Sequence, residues 1–246
     1  MADDFFHFRQ FSMRQASSGQ RVNTDSWVVG ALIGPSAQPA KILDIGTGTG
    51  VLALMLAARF PNALITAVEP EVTIAEVACE NFRNSPWHDR INLHATRAQN
   101  LNVTRHGKFD FVLCNPPYFQ NSMTSDDRLR MVARHNMDLS PAELYHSMRQ
   151  MMTDQGSAWL SFPEDSTRLW LDEGMLAGLH CTHQIMIKDH PDAKPHMVIT
   201  GWSNSKPASL AEDVICYRSE HKGGLSDWMR AFREEWYPAK YNSQFA

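Results

Sequence analysis

The run Gly46-Thr47-Gly48-Thr49-Gly50 joins two apolar segments that differ in period. Lys41–Ile45 before it predicts a buried β-strand, and Val51–Arg59 after it predicts an apolar helix. Glycine adopts backbone angles that other residues avoid, and it lets a ligand approach the main chain closely. A glycine loop between a strand and a helix is therefore typical of sheets that bind a nucleoside cofactor beyond the end of a strand.

Strand and helix patterns continue to alternate beyond this loop. Further strands are predicted at 63–68, 91–95, Phe109–Cys114 and 158–162, and helices at 71–84 and 167–179. A serine cap, a proline in the first turn and a glutamate begin another helix at Ser140. The pattern also predicts a closing pair of strands at 182–187 and 197–202, a further edge strand at 214–217, and a last amphipathic helix at 228–236. This alternation favours an α/β fold with a mostly parallel, doubly wound sheet.

The length of 246 residues favours one domain over residues 1–246. Residues 1–40 lack a clean period and carry aromatic and basic side chains. We expect this N-terminal segment to cover the substrate and cofactor site.

Composition excludes several functional classes. The longest apolar run, 51–58, is too short to cross a bilayer, and the N-terminus carries no export signal. Four widely spaced cysteines without a CxxC pair argue against a zinc cluster and fit reduced thiols. A net charge of −4 does not indicate a nucleic-acid binder, although a local basic patch can still serve one. We therefore expect a cytoplasmic monomer with no membrane segment and no metal.

Two acids flank the glycine loop: Asp44 two residues before its first glycine, and Glu69 at the end of the second predicted strand. A carboxylate in the second place can accept both hydroxyl hydrogens of a ribose. Asp44 would repel the pyrophosphate of a dinucleotide, but it suits a cationic group. The spacing GxGxG also differs from the GxGxxG that dinucleotides prefer.

The stretch 44–50 resembles class I S-adenosylmethionine-dependent methyltransferases. The resemblance implies S-adenosyl-L-methionine as the cofactor. It also implies a Rossmann-like, mostly parallel sheet of seven strands with an antiparallel edge strand. The cofactor-binding residues that it implies are Asp44, Gly46, Thr47, Gly48, Gly50, Glu69, Pro70, Arg97, Ala98 and Asn115.

The run Asn115-Pro116-Pro117-Tyr118 directly follows the predicted strand Phe109–Cys114. Two prolines exclude a helix and remove two backbone donors, so the run predicts a stiff corner at the strand's end. The Asn115 amide oxygen and the Pro116 carbonyl can then hold a planar NH2 group by both hydrogens, and Tyr118 offers a flat face to a conjugated ring. The run resembles the signature of methyltransferases that act on amide or aniline-like nitrogens. That resemblance implies catalytic roles for all four residues.

More of the first 120 residues resembles the valine tRNA (adenine-37-N6)-methyltransferase family, which implies in-line methyl transfer to an adenine of a tRNA. The stretches that carry this resemblance are 8–11, 21–25, 30–31, 43–46, 52–57, 84–87, 90–92 and 115–118. The chain departs from the family at Arg97, where an acid usually accepts from the cofactor's adenine amino group. Arginine has no acceptor, so Gln99 or a backbone carbonyl would take that role.

The candidate substrate-binding residues are Tyr118, Arg128, Arg130, Arg134 and Arg9. A base of the anticodon loop is already unpaired, and stacking on Tyr118 is worth roughly 1–3 kcal/mol. The arginines, together with Arg14 and Arg21, would contact phosphates. For both the loop after residue 118 and the N-terminal segment, an equal alternative is that the charged side chains form a solvated surface and the aromatic side chains belong to the core.

Two other functions stay open at this point. A glutamine-N5 protein methyltransferase would use the same four residues at 115–118, although only about 40 residues precede the first predicted strand, too few for a separate helical recognition domain. A catalytically idle cofactor-binding module is the second alternative; the intact run at 115–118 argues against it, while the departure at Arg97 keeps it open.

Overall fold

The computed structural model describes residues 5–15, 23–35, 37–116 and 140–238. Its strands are β1 (Phe5–His7), β2 (Ser12–Arg14), β3 (Lys41–Ile45), β4 (Leu64–Val68), β5 (Ile91–His94), β6 (Phe109–Cys114), β7 (Met152–Pro163), β8 (His180–Lys188), β9 (Met197–Ser203) and β10 (Ala211–Cys216). Its α-helices are α1 (Thr24–Leu32), α2 (Val51–Arg59), α3 (Val72–Arg83), α4 (Val103–His106), α5 (Pro141–Met151), α6 (Thr167–Leu176) and α7 (Asp227–Trp236).

The central sheet confirms the predicted α/β class and corrects its details. Within the described residues eight strands pair in the order β10-β8-β9-β7-β6-β3-β4-β5, so the count of seven that the resemblance implies is one too low. The further edge strand predicted at 214–217 is present as β10. Only β9 runs antiparallel to its neighbours in this sheet, and it lies between β7 and β8 rather than at the edge. The predicted closing pair is confirmed as the antiparallel pair of β8 and β9. It does not close the sheet, because β10 pairs in parallel with β8 and forms the edge.

The carboxyl ends of four parallel strands lie side by side. Ile45 pairs with Val68 and with Cys114, and Val68 pairs with His94. Cys114 pairs in turn with Leu160 of β7. The residues that follow these strands therefore lie along one edge of the sheet, which is where open α/β sheets bind ligands.

Helices cover both faces of the sheet. On one face α1, α2 and α7 bury residues such as Val28, Leu54 and Phe232 against the strands. On the other face α5 buries Leu144, Tyr145 and Met148. The predicted capping box of α5 is confirmed, since the Ser140 and Glu143 side chains each bond to the other residue's backbone amide.

Aromatic side chains pack together in the described part of the N-terminal segment. β1 and β2 form a two-stranded antiparallel hairpin, and the Phe8 and Phe11 rings stack with centroids 4.4 Å apart. Trp27 of α1 stacks on Phe232 of α7 at 5.2 Å. Three of the five aromatic residues in 1–40, Phe8, Phe11 and Trp27, are thus core residues, as the alternative interpretation of this stretch held. Within the described ranges, no helix has both the length and the apolar character needed to span a membrane.

Candidate active site

The glycine loop after β3 is anchored to the end of β4 and opens away from it. The backbone amides of Gly46 and Thr47 both donate to the carbonyl of Val68, at 2.9 and 3.0 Å. Gly48 has φ +57°, and a Cβ at this position would meet no atom within 4 Å. The loop therefore presents bare main chain on its open side, as close approach of a ligand requires.

Gly50 has a different reason to be glycine. Its φ is +94°, and an added Cβ would lie 2.4 Å from Cε1 of the Phe82 ring. Phe82 is buried against the loop from α3. Only glycine can bring the loop this close to the Phe82 ring. Gly50 is also the N-cap residue of α2, so the helix begins directly after this contact.

Asp44 is a fully buried carboxyl group below the glycine loop. Its Oδ2 accepts a hydrogen bond from the Thr47 hydroxyl at 2.6 Å, and its Oδ1 has no partner among the described residues. Burial raises the pKa of Asp44 to about 7, the Thr47 hydroxyl and the Ala53 amide act in the opposite direction, and the charge of Glu69 raises it further. A buried carboxyl oxygen without a partner is costly, and a cationic ligand group would satisfy it.

Glu69 joins the glycine loop to the start of α3. Its Oε2 accepts from the amide of Gly48 and its Oε1 from the amide of Glu71, both at 3.0 Å. The side chain is buried, and the two amides fix the orientation of its carboxylate. A carboxylate accepts up to about four hydrogen bonds, so this arrangement is compatible with the predicted contact to a ribose.

The ends of β3, β4 and β6 bring Asp44, Glu69 and Cys114 close together, since Ile45 pairs with both Val68 and Cys114. Burial raises the pKa of the Cys114 thiol well above its usual range, and the charges of Asp44 and Glu69 raise it further. Both acids are therefore close enough to act on the same thiol. The partnerless oxygen of Asp44, the open face of Gly48 and the acid at Glu69 fit the cationic end, the close approach and the diol of S-adenosylmethionine.

Asn115 directly follows the last residue of β6, and its side chain lies between β7 and α1. Its Oδ1 accepts from the Ser161 hydroxyl of β7 at 2.6 Å. Its Nδ2 is 3.5 Å from the Ser26 hydroxyl of α1. Asn115 is half-buried and Pro116 is buried, so the amide is held at the same sheet edge as Glu69.

The remaining predicted residues divide into three groups. Pro70 and Arg97 are partly exposed, and Ala98 is buried at the start of a short 3-10 turn, Ala98–Asn100, after β5. Arg9 donates from its guanidinium to the Glu234 carbonyl at the end of α7, at 3.0 Å, and Arg14 pairs with Glu80 at 2.8 Å. The predicted residues outside the described ranges are Pro117, Tyr118, Arg128, Arg130, Arg134 and Arg21.

Asn81 is a buried residue of the site that the sequence analysis missed. Its Nδ2 donates to the carbonyls of Thr49, at 2.8 Å, and Arg14, at 2.9 Å, and its Oδ1 accepts from the Arg14 amide at 2.7 Å. One side chain thus links the glycine loop to the N-terminal hairpin. An asparagine on a predicted helix gives no sequence signal for such a role, because both partners are distant backbone groups.

Ser161 and Ser26 were also missed. Ser161 lies within the predicted strand 158–162, and only the pairing of β6 with β7 brings it beside Asn115. Ser26 belongs to α1, for which a signal exists. Asn23 caps that helix through the Ser26 amide, Asp25 lies in its first turn, and an apolar run follows.

The amino-acid sequence is similar to a described protein family and to named methyltransferases. Residues 29–152 match the sequence model of the family described as methyltransferase small domain. The chain is 33% identical over 232 residues to the tRNA1(Val) (adenine(37)-N6)-methyltransferase of Vibrio campbellii, a match that covers 94% of this chain and 95% of the relative. It is 33% identical to the protein of the same name from Bacteroides fragilis, over 90% and 93% of the two chains.

A solved structure supports the fold. A predicted O-methyltransferase from Agrobacterium tumefaciens superposes with a TM-score of 0.59 and 17% identity, over 84% of this chain and 94% of that one. At this identity the likeness concerns the architecture of the sheet and helices alone.

Proposed function

The chain belongs to the methyltransferase small domain family, and on that premise we propose that it methylates N6 of adenine 37 in tRNA1(Val), with S-adenosylmethionine as the methyl donor. The observation that carries the reaction type is the position of Asn115, whose amide follows β6 on the sheet edge that holds Glu69 and the glycine loop. The substrate follows from the relatives named above, which match this chain over nearly its whole length.

The cofactor would be held by groups from three strand ends. Asp44 would face its cationic methionine end, the main chain at Gly48 would lie against it, and Glu69 would accept from its ribose hydroxyls. S-adenosylmethionine supplies an electrophilic methyl group on a sulfonium. Arg97 and Ala98 would border its adenine, with Gln99 or a backbone carbonyl as the acceptor for the amino group.

Asn115 would hold the base that receives the methyl group. The N6 lone pair of adenine is delocalised into the ring and is a weak nucleophile. When Asn115 Oδ1 and the Pro116 carbonyl accept the two N6 hydrogens, they favour localisation of that lone pair and stabilise the positive charge that develops on nitrogen. One N–C bond forms as one S–C bond breaks, and N6 then loses a proton. Alignment of bound reactants accounts for roughly 7–11 kcal/mol in comparable systems.

A tRNA substrate also bears on where the protein acts and on which residues contact the RNA. We expect the protein to act in the cytoplasm as a monomer, with the segment 1–40 covering the site and Pro117, Tyr118, Arg9, Arg128, Arg130 and Arg134 contacting the RNA. Asn81 gives this segment a direct connection to the glycine loop. Within the described residues, no group of three or more His, Cys, Asp and Glu side chains is arranged to hold a metal ion.

The test is methyl transfer to a defined RNA. Purified protein with methyl-labelled S-adenosylmethionine is incubated with a tRNA1(Val) transcript and with the same transcript carrying guanine at position 37. We expect N6-methyladenosine in the nucleoside digest of the first transcript only. Equal labelling of both transcripts would overturn the assignment of position 37, and no labelling of either would overturn the proposed function.

A parallel arm tests the glutamine-N5 alternative. A release factor replaces the tRNA, and the peptides are examined for N5-methylglutamine. Label in the release factor with none in the tRNA would establish the alternative function.

A further inference from the structure

The amide of Asn115 lies between two serine hydroxyls that come from different elements. Ser161 of β7 donates to its Oδ1 at 2.6 Å, and Ser26 of α1 lies 3.5 Å from its Nδ2. Both serines are buried, at 0% and 8% exposure. The two ends of the amide therefore meet protein groups of the same chemical type.

A side-chain amide has two nearly isosteric orientations. Half a turn about its last torsion exchanges the oxygen acceptor with the NH2 donor. The proposed reaction needs the oxygen toward the amine of the base, because an NH2 group there would oppose the two N6 hydrogens. Serine hydroxyls cannot select one orientation by themselves, since a hydroxyl both donates and accepts.

Asn23 removes this ambiguity at the Ser26 end. Its Oδ1 accepts from the backbone amide of Ser26 at 2.9 Å, and a backbone amide can only donate. The same oxygen accepts from the Ser26 hydroxyl at 2.9 Å. With its proton directed to Asn23, the Ser26 hydroxyl presents a lone pair to Asn115. The NH2 group is favoured on that side, and the oxygen is turned toward Ser161.

The first turn of α1 is fixed from its other side as well. The hydroxyl of Tyr217, which follows β10, donates to Asp25 Oδ1 at 2.7 Å. His196, which precedes β9, lies 3.3 Å from the same oxygen through its Nε2. These contacts tie Asp25, the residue before Ser26, to the far half of the sheet.

From these contacts we propose that Asn23, Ser26 and Ser161 are positioning residues that set the orientation of the Asn115 amide. The stretch Asn23-Thr24-Asp25-Ser26 acquires a role in catalysis that its sequence alone does not indicate. The inference rests on the proposed function, because it concerns the amide that would accept the N6 hydrogens.

The test compares Ser26→Ala with Ser26→Thr. Ser26→Ala loses the hydroxyl's hydrogen bond to Asn23, but alanine favours helix more than serine does, so we expect the variant to fold with a Tm only slightly below that of wild type. Loss of one neutral hydrogen bond corresponds to roughly three- to tenfold in kcat, with the KM for S-adenosylmethionine unchanged. Ser26→Thr keeps the hydroxyl and should recover most of kcat. A Ser26→Ala enzyme with kcat within twofold of wild type would overturn the proposal.

The Asn115→Asp background isolates the orientation itself. An ionised carboxylate has two equivalent oxygens, so it has no orientation for Ser26 to select. In this background Ser26→Ala should change kcat by less than twofold. An equal loss in both backgrounds would mean that Ser26 acts elsewhere and would overturn the proposal.

A measurement without catalysis covers the case in which Asn115→Asp is too slow to assay. In protein labelled with ¹⁵N-asparagine, the side-chain signals that Asn115→Asp removes belong to Asn115. Those signals should shift or broaden in Ser26→Ala and return in Ser26→Thr, and signals unchanged in Ser26→Ala would overturn the proposal. Failure to methylate tRNA would leave this spectrum unaffected, so the two proposals fail separately.

Discussion

Binding of S-adenosylmethionine should release a proton from Asp44. Burial raises the pKa of this carboxyl to about 7 in the free protein, so the group is largely protonated at pH 6. A cationic ligand group beside Oδ1 favours the ionised form. The free protein must therefore lose the proton before or during binding, and affinity should rise with pH up to about 7 and then level off.

The size of the effect follows from the ionised fraction. With a pKa of about 7, the fraction is about 9% at pH 6 and about 75% at pH 7.5, so Kd should fall about eightfold between them. About 0.9 proton should be released per bound ligand at pH 6 and about 0.25 at pH 7.5. The upper pH stays below the pKa of about 7.7–8.0 of an α-amino group, so most of the ligand keeps that charge.

Titration calorimetry in two buffers that differ in ionisation enthalpy measures both quantities. Asp44→Asn is the matched control, because asparagine has a similar shape and cannot titrate. Its binding should be weak, independent of pH over this range, and free of the proton release at pH 6. A wild-type Kd that is the same at pH 6 and 7.5, or an Asp44→Asn protein that releases the same number of protons, would refute the reasoning.

Three further predictions concern single side chains. Asn115→Ala should bind S-adenosylmethionine with a Kd within about threefold of wild type and reduce kcat by at least about 100-fold, since the acceptor for a developing charge is lost; near-normal turnover would contradict its role. Gly50→Ala should unfold at a lower temperature than Gly48→Ala, because both have positive φ but only the first places a Cβ against Phe82; equal Tm values would contradict the crowding. Asn81→Ala should lower the free energy of unfolding by about 3 kcal/mol through three lost hydrogen bonds and raise the KM for S-adenosylmethionine, as denaturant unfolding and initial-rate measurements will show; an unchanged KM would separate the hairpin from the cofactor site.

Much of the fold was predictable because its signals are local. β3, α2 and β6 have the predicted bounds, since each combines a clear hydrophobic period with a glycine or proline boundary. The glycine loop and Glu69 were recognised for the same reason, because their positions relative to strand ends can be read along the chain.

The order and number of strands were less predictable. β9 inserts between β7 and β8, and neither its place nor the parallel pairing of β10 follows from local pattern. β7 begins at Met152, six residues before the predicted start. Met152 pairs with Phe109, the register then shifts, and pairing resumes between Ser157 and Phe111, so this first half has no regular pattern that the sequence could show. The pairing register of strands that are far apart in the chain depends on tertiary contacts, and these contacts leave no local pattern in the sequence.

The sequence by itself determined the alternating architecture, the glycine loop with its two acids, and the asparagine–proline corner after β6, since each depends on backbone preferences of adjacent residues. Only the tertiary structure placed Ser161 and Ser26 at the two ends of the Asn115 amide, and Asn81 between the loop and the hairpin. Those contacts join residues far apart in the chain, and hydrogen bonds between such residues exist only once the sheet has brought its strand ends together.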